Sequence, residues 1–208
     1  LKPSLTAQSE SIEPAPADIR ATLVDRRDTM AVEQRLDRRL ENVRADLIDG
    51  RERIDDLPIA TEGYDAVSGG LRKSYKRARN RMEDAYDDPT FERFHEWRKR
   101  IKYHRYHTRL LRRVWIEPMK TRRAALKELS DVIGYENDLA EFAEMMTDEA
   151  LFSTETREIL REVVRANRAE LHRKGRPLGE RLFAEQPDRL VDRFGAYWEA
   201  TREYDPSL

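Results

Sequence analysis

Residues 94–114, FHEWRKRIKYHRYHTRLLRRV, limit what this chain can become more than any other stretch. Apolar side chains recur at Phe94, Trp97, Ile101, Leu111 and Trp115, in intervals built from threes and fours. That is the period of an α-helix, not the alternation of a strand. At helical geometry these positions share an arc of roughly 100°. His95, Arg98, Lys99, Lys102, Arg105, Tyr106, Arg109 and Arg113 fall on a neighbouring arc of about 120°. Residues 93–113 hold nine Lys or Arg against one carboxylate, Glu96, and three of the four histidines, His95, His104 and His107. Like charges one turn apart, such as Arg98 with Lys102 and Arg105 with Arg109, oppose helix formation. The plain reading of such a stripe is a solvated face. A solvated face, however, ordinarily mixes signs, so the uniform charge points to a visiting polyanion.

The remainder of the chain must supply a core for that helix. At 208 residues, one domain or two closely joined halves are expected. The chain is 39% charged and 38% hydrophobic with helical periodicity throughout, which indicates an all-α helical bundle. Net charge is −1, so any anion site must arise from local segregation of charge. Arg outnumbers Lys, and its planar fork suits phosphate or carboxylate oxygens. The absence of cysteine excludes disulfides, zinc-thiolate sites and thiol nucleophiles. No apolar run has the length of a membrane span and no signal peptide is visible, so a cytoplasmic location is expected. Because the first residue is Leu1, the chain is expected to be a fragment of a longer protein.

Residues 1–17 are small, polar and proline-bearing and read as a tail or linker. A helical pattern follows from Asp18 to Ile54, with a break expected near Gly50. A second basic segment, LRKSYKRARNRM, carries six Lys or Arg between Arg72 and Arg81 and no acid; Arg72, Lys76 and Arg79 lie on one face. The turn at residues 87–90 joins it to the central helix, so the two basic helices are expected to pack antiparallel. Pro118 is expected to end the central helix, Gly134 to cap the next one, and Asn137-Asp138 to precede a short helix to about Thr147. A long segment capped by Ser153 or Thr154 should run to His172, where Pro177 and Gly179 interrupt it. Pro187 opens a last helix.

His95, Arg98, Lys102, Arg105 and Tyr106, at this spacing, resemble the signature of the CHAD family, helical domains named for their histidines. The basic run around Arg72, Tyr75 and Arg79, the segment LKELSDVIGYENDL with Gly134, Asn137 and Asp138, and Leu182-Phe183 before Pro187 agree with the resemblance, which covers about 64–198. The resemblance implies two pseudo-symmetric four-helix bundles flanking a basic cleft, and binding of inorganic polyphosphate. It makes 18–62 the remnant of an incomplete first bundle and 63–200 the second. The family carries its histidine motif twice, and one copy is present here. Members often accompany triphosphate-hydrolysing tunnel domains, to which nothing in this chain is similar.

The expected ligand set is Arg72, Lys76, Arg79, His95, Arg98, Lys99, Lys102, Arg105, Tyr106 and Arg109, with polyphosphate, free or in granules, as the partner. Arginines would fork onto phosphate oxygens and lysines would act as point charges. Tyr106 could donate a hydrogen bond or pack at a bundle seam. His95 could contact phosphate as a cation or close a buried hydrogen bond. His104 and His107, three apart, could form half a metal site, but no carboxylate stands one turn from His107 on its face, so neither metal nor cofactor is expected. The basic helices lack the clustered carboxylates of phosphoryl hydrolysis, so the expectation is binding without catalysis. The alternatives are a nucleic-acid-binding helical protein, less favoured because stacking aromatics are not interleaved on the basic face, and a scaffold for an acidic partner protein. His172 with Arg173 and Lys174 reads as a solvated helix end.

Overall fold

In a computed structural model the chain is all-α. The helices are α1 (Pro16–Glu33), α2 (Leu36–Glu52), α3 (Asp65–Asp87), α4 (Phe91–Leu110), α5 (Ile116–Met145), α6 (Thr154–Leu182) and α7 (Pro187–Arg202), with a 3-10 turn, Leu111–Arg113, after α4. The structure describes residues 16–33, 36–54, 56–58, 60–147 and 151–205, and no strand occurs among them. The tail expected at 1–17 lies outside the described residues, apart from the last two positions, which open α1. Among the described residues no helix is long and apolar enough to cross a membrane.

The chain separates into two compact units, residues 1–59 with 146–161 and residues 60–145 with 162–208. In the first unit, α1 and α2 stand where one helical segment was expected, and Gly50 lies inside α2 rather than breaking it. Leu40, Val43 and Leu47 of α2 are more than half exposed. Ser153 caps the start of α6, its Oγ accepting from the Thr156 amide at 3.2 Å.

The second unit is built around α4. Thr90 caps it, with Oγ1 accepting from the Arg93 amide at 3.3 Å. Its inward face buries Phe94, Trp97, Ile101, His104 and Thr108, which join Leu71, Tyr75, Ala78, Leu126, Leu129, Ile133, Phe183, Leu190 and Phe194 in the core. Helix α3 runs antiparallel along one flank: Arg93 donates to the Asp84 carbonyl at 2.9 Å at one end, and a Cβ on Gly70 would stand 3.8 Å from His107 Nε2 at the other. Helix α5 runs antiparallel along the opposite flank, where Arg98 crosses Gly134 and His95 meets Asn137. Helix α6 comes close through glycines one turn apart. A Cβ on Gly175 would lie 3.1 Å from Ile133 Cδ1, and one on Gly179 would lie 2.9 Å from Met82 Sδ and 3.0 Å from Trp97 Cζ2. Those glycines trade helix propensity for close packing.

Several sequence expectations are corrected here. The central helix ends at Leu110, not at Pro118; the 3-10 turn shifts the register, leaving Trp115 about half exposed while His104 and Thr108 take buried positions. Pro118 sits in the first turn of α5, where a missing N–H costs nothing. Gly134 caps nothing, and 137–147 is no separate helix: α5 is continuous through both. Pro177 and Gly179 lie inside α6. The Tyr86 phenol donates to the His172 carbonyl at 3.2 Å, in the turn that Pro177 disturbs. His172 is thus mid-helix, not a solvated end, and stacks on Phe94 with centroids 4.1 Å apart. Beside it, the buried Glu136 takes the Arg168 guanidinium at 2.7 Å, and Arg168 also donates to the Pro89 carbonyl at 2.8 Å. A buried carboxylate needs such a partner.

Candidate functional site

Because α5 covers the basic flank of α4, the cations of the two helices meet along one seam. Toward the end of α4 and the start of α5 the seam opens into a groove of about 560 Å³, lined by Arg105, Tyr106, Arg109, Lys120, Arg123, Ala124 and Lys127. Five of these seven side chains are cationic and none is acidic. Lys127 lies 2.5 Å from Asp131 and Lys120 lies 3.9 Å from Glu117, both as exposed pairs that screen easily. Arg105 stands over the Tyr106 ring, 5.6 Å from its centroid. The Tyr106 ring is about half exposed, so it belongs to the groove rather than to the bundle seam.

Further along the seam Lys102 is half-buried, and Arg98 lies flat over Gly134, with Nη2 only 3.3 Å from the place a Cβ would occupy. Arg98 Nε is buried with no hydrogen-bond partner among the described residues. At the far end His95 Nδ1 is 2.5 Å from Asn137 Oδ1, and Asn137 Nδ2 donates to Glu141 at 3.0 Å. The structure therefore brings His95, Arg98, Lys102, Arg105, Tyr106 and Arg109 to one seam. Lys99 is turned to Glu96 at 2.6 Å, and its ammonium holds that carboxyl below the usual range.

The α3 residues have a different place. Arg72 makes a two-pronged pair with Asp188 of α7, Nη2 to Oδ2 at 3.1 Å, which holds that carboxyl below its ordinary value. Arg79 donates to the Glu185 carbonyl at 3.1 Å and to Gln186 Oε1 at 2.9 Å, in the turn between α6 and α7. Lys76 is exposed on the same helix. Helix α3 flanks α4 on the side opposite α5, so Arg72, Lys76 and Arg79 do not line the α4–α5 groove.

Lys120, Arg123 and Lys127 are the groove residues that reading the sequence for its apolar stripe alone passes over. A signal existed: Lys120, Arg123 and Lys127 recur at three and four, and residues 118–127 contain no carboxylate. His104 is fully buried and its Nε2 accepts from Arg122 Nε at 3.2 Å. Burial, then the neighbouring Arg122 charge, holds it well below the ordinary histidine value. His107 is on the α3 side, its Nδ1 2.9 Å from the Tyr103 carbonyl. Among the described residues no cluster of three or more His, Asp or Glu is placed to hold a metal.

Against models of known families, residues 1–147 match the CHAD domain. The match takes in α1 to α5, and with them both walls of the groove, and stops before α6 and α7. No curated protein and no solved structure matches the chain.

Proposed function

The chain belongs to the CHAD domain family, which is associated with polyphosphate binding, and from that premise we propose that it binds inorganic polyphosphate in the groove between α4 and α5. The observation that carries the reading is the lining itself: Arg105, Arg109, Lys120, Arg123 and Lys127 face one volume with no carboxylate among them. A linear polyanion with no base edges requires repeated cationic donors at helix-turn spacing and nothing that reads sequence. Arg105 and Arg109 on one wall, Arg123 and Lys127 on the other, meet that requirement. Arginine forks would bind phosphate oxygens in pairs and the lysines would add point charge. Lys102, Arg98 and His95 extend the track along the seam. The role is binding without turnover, by a cytoplasmic protein that meets polyphosphate free or in granules.

A nucleic acid is the second reading, favoured by one observation. Tyr106 is exposed in the groove beside Arg105, a position from which a base could stack. Titrating the protein with long-chain polyphosphate by calorimetry, with single-stranded DNA and RNA as competitors, separates the two. Polyphosphate is expected to bind more tightly, with affinity falling steeply as salt rises because counterions are released. The double reversal Arg105→Glu with Arg123→Glu should abolish binding while leaving the melting temperature intact. Tighter binding of nucleic acid, or undiminished binding by the double variant, would refute the reading.

A further inference from the structure

At the end of the seam away from the open groove, three side chains form a chain whose hydrogen-bond directions are determined by chemistry. Glu141 is a carboxylate on the exposed side of α5 and can only accept. Asn137 Nδ2, 3.0 Å away, must therefore be the donor, which turns Asn137 Oδ1 toward His95. An amide oxygen only accepts, so the proton of that 2.5 Å contact is on His95 Nδ1. Among the described residues His95 Nε2 has no hydrogen-bond partner, and it is not among the buried atoms. The half-buried ring thus leaves this second nitrogen accessible, on a residue that shares its helix face with Arg98 and Lys102.

A consequence follows for a ligand that has only acceptors. A histidine whose neutral form carries its proton on Nδ1 presents a lone pair at Nε2, which phosphate oxygens repel. The same ring protonated at Nε2 presents a charge-assisted donor. An unrestrained histidine behaves differently, because its neutral form can place the proton on Nε2 and still donate. We propose that Asn137, oriented by Glu141, is a positioning residue that turns His95 into a protonation-gated contact for the phosphate chain; this rests on the polyphosphate reading above. On α4 the ring interacts with the charge of Glu96, with Glu92, Arg98 and Lys99 one turn away in sequence; on α5 Asn137 is followed by Asp138 and joined to Glu141.

The test measures polyphosphate affinity from about pH 6 to about pH 8.5 in the parent, His95→Gln, Asn137→Leu and Glu141→Leu. Terminal phosphates of the ligand titrate in the same window, so His95→Gln supplies the baseline. The parent should lose about tenfold more affinity than that baseline as pH rises, the range of one charge-assisted hydrogen bond. Asn137→Leu should fall between the parent and the baseline, because the released ring loses its charge but still donates from Nε2 in its neutral form. Glu141→Leu frees the Asn137 amide to turn over and should do the same from an exposed position that does not threaten folding. Long-range proton–nitrogen NMR of the free parent should place the proton of neutral His95 on Nδ1, and should show that preference lost in both leucine variants. A parent slope equal to His95→Gln, variants that track the parent, or a neutral ring protonated on Nε2 in the parent would each overturn the gate. Absence of polyphosphate binding at every pH would overturn the proposed function itself, leaving an Nδ1 proton as a purely structural arrangement.

Discussion

Helices α3 and α4 look alike as sequences and do different work as structures. Each carries a basic run beside an apolar stripe, and each is nearly free of acid within that run. In α3 the guanidinium groups are tied down within the protein: Arg72 to Asp188 and Arg79 to the Glu185 carbonyl and Gln186. In α4 the basic flank meets α5, a helix that supplies three more cations, Lys120, Arg123 and Lys127, and a glycine over which Arg98 can lie. The same local charge therefore fastens a helix turn in one place and leaves a cationic groove in the other. A run of arginine is evidence of a site only once its partners are known.

The difference between α3 and α4 is tested by substitutions that should move binding and folding independently of each other. The largest effect is expected from Lys102→Ala, which should lose about 1–3 kcal/mol of polyphosphate affinity, the range of a charge-assisted contact. Its thermal stability should be unchanged or slightly raised as repulsion within the stripe falls. Arg100→Ala removes the same charge from the other side of α4, where Arg100 lies 3.7 Å from Glu96, and should cost little affinity. Equal losses in the two would mean a diffuse basic surface.

The reverse is expected of α3. Arg79→Met should lower stability by about 1–2 kcal/mol, since in the α6–α7 turn the Gln186 side-chain oxygen loses its donor and the Glu185 carbonyl keeps only the Tyr75 hydroxyl. That corresponds to a drop in melting temperature of roughly 2–8 °C for a domain of this size, with polyphosphate affinity unmoved. A loss of affinity without a loss of stability would bring α3 back into the binding surface.

The seam between the two helices gives a smaller, pH-dependent effect. His104 packs edge-on against Tyr75 of α3, and in the fold burial and Arg122 keep it neutral below the ordinary histidine range. The unfolded chain takes up that proton below about pH 6.5 and the folded chain refuses it. Stability from this group is thus intact above that pH and falls below it, by up to about 1.4 kcal/mol per pH unit. His104→Gln keeps an acceptor for Arg122 and should flatten the melting-temperature profile between about pH 7 and about pH 5.5. An unchanged slope would mean that His104 is protonated in the fold.

The smallest effect sharpens the contrast at a single atom. Gly134→Ala should stabilise α5 by about 0.5–1 kcal/mol, the usual difference between the two residues inside a helix. The added methyl would stand 3.3 Å from Arg98 Nη2 and push the guanidinium off α5, so polyphosphate affinity should fall severalfold. A gain in both would remove Arg98 from the track.

The sequence alone determined the helical class and the apolar and basic faces of α3 and α4. Apolar residues at threes and fours specify a buried stripe wherever they occur, and the steric rules behind that period are local. Hence the all-α class, the turn at 87–90, the cap at Ser153, the burial of Phe94, Trp97 and Ile101, and the basic flank with His95, Arg98, Lys102 and Arg105 were legible. Glycine and proline were read less well. Gly134, Gly179 and Pro177 look like helix ends or breaks in one dimension, but inside α5 and α6 the glycines admit neighbours and the phenol of Tyr86 supports the turn before Pro177. Tertiary structure alone decided which neighbour each flank of α4 received. That choice depends on whether side-chain volumes from distant parts of the chain fit, and here α3 docks on the His107 side and α5 on the His95 side. It moved Arg72 and Arg79 out of the groove and brought Lys120, Arg123 and Lys127 in, because a helix presents its charges by local geometry and acquires their partners only by packing.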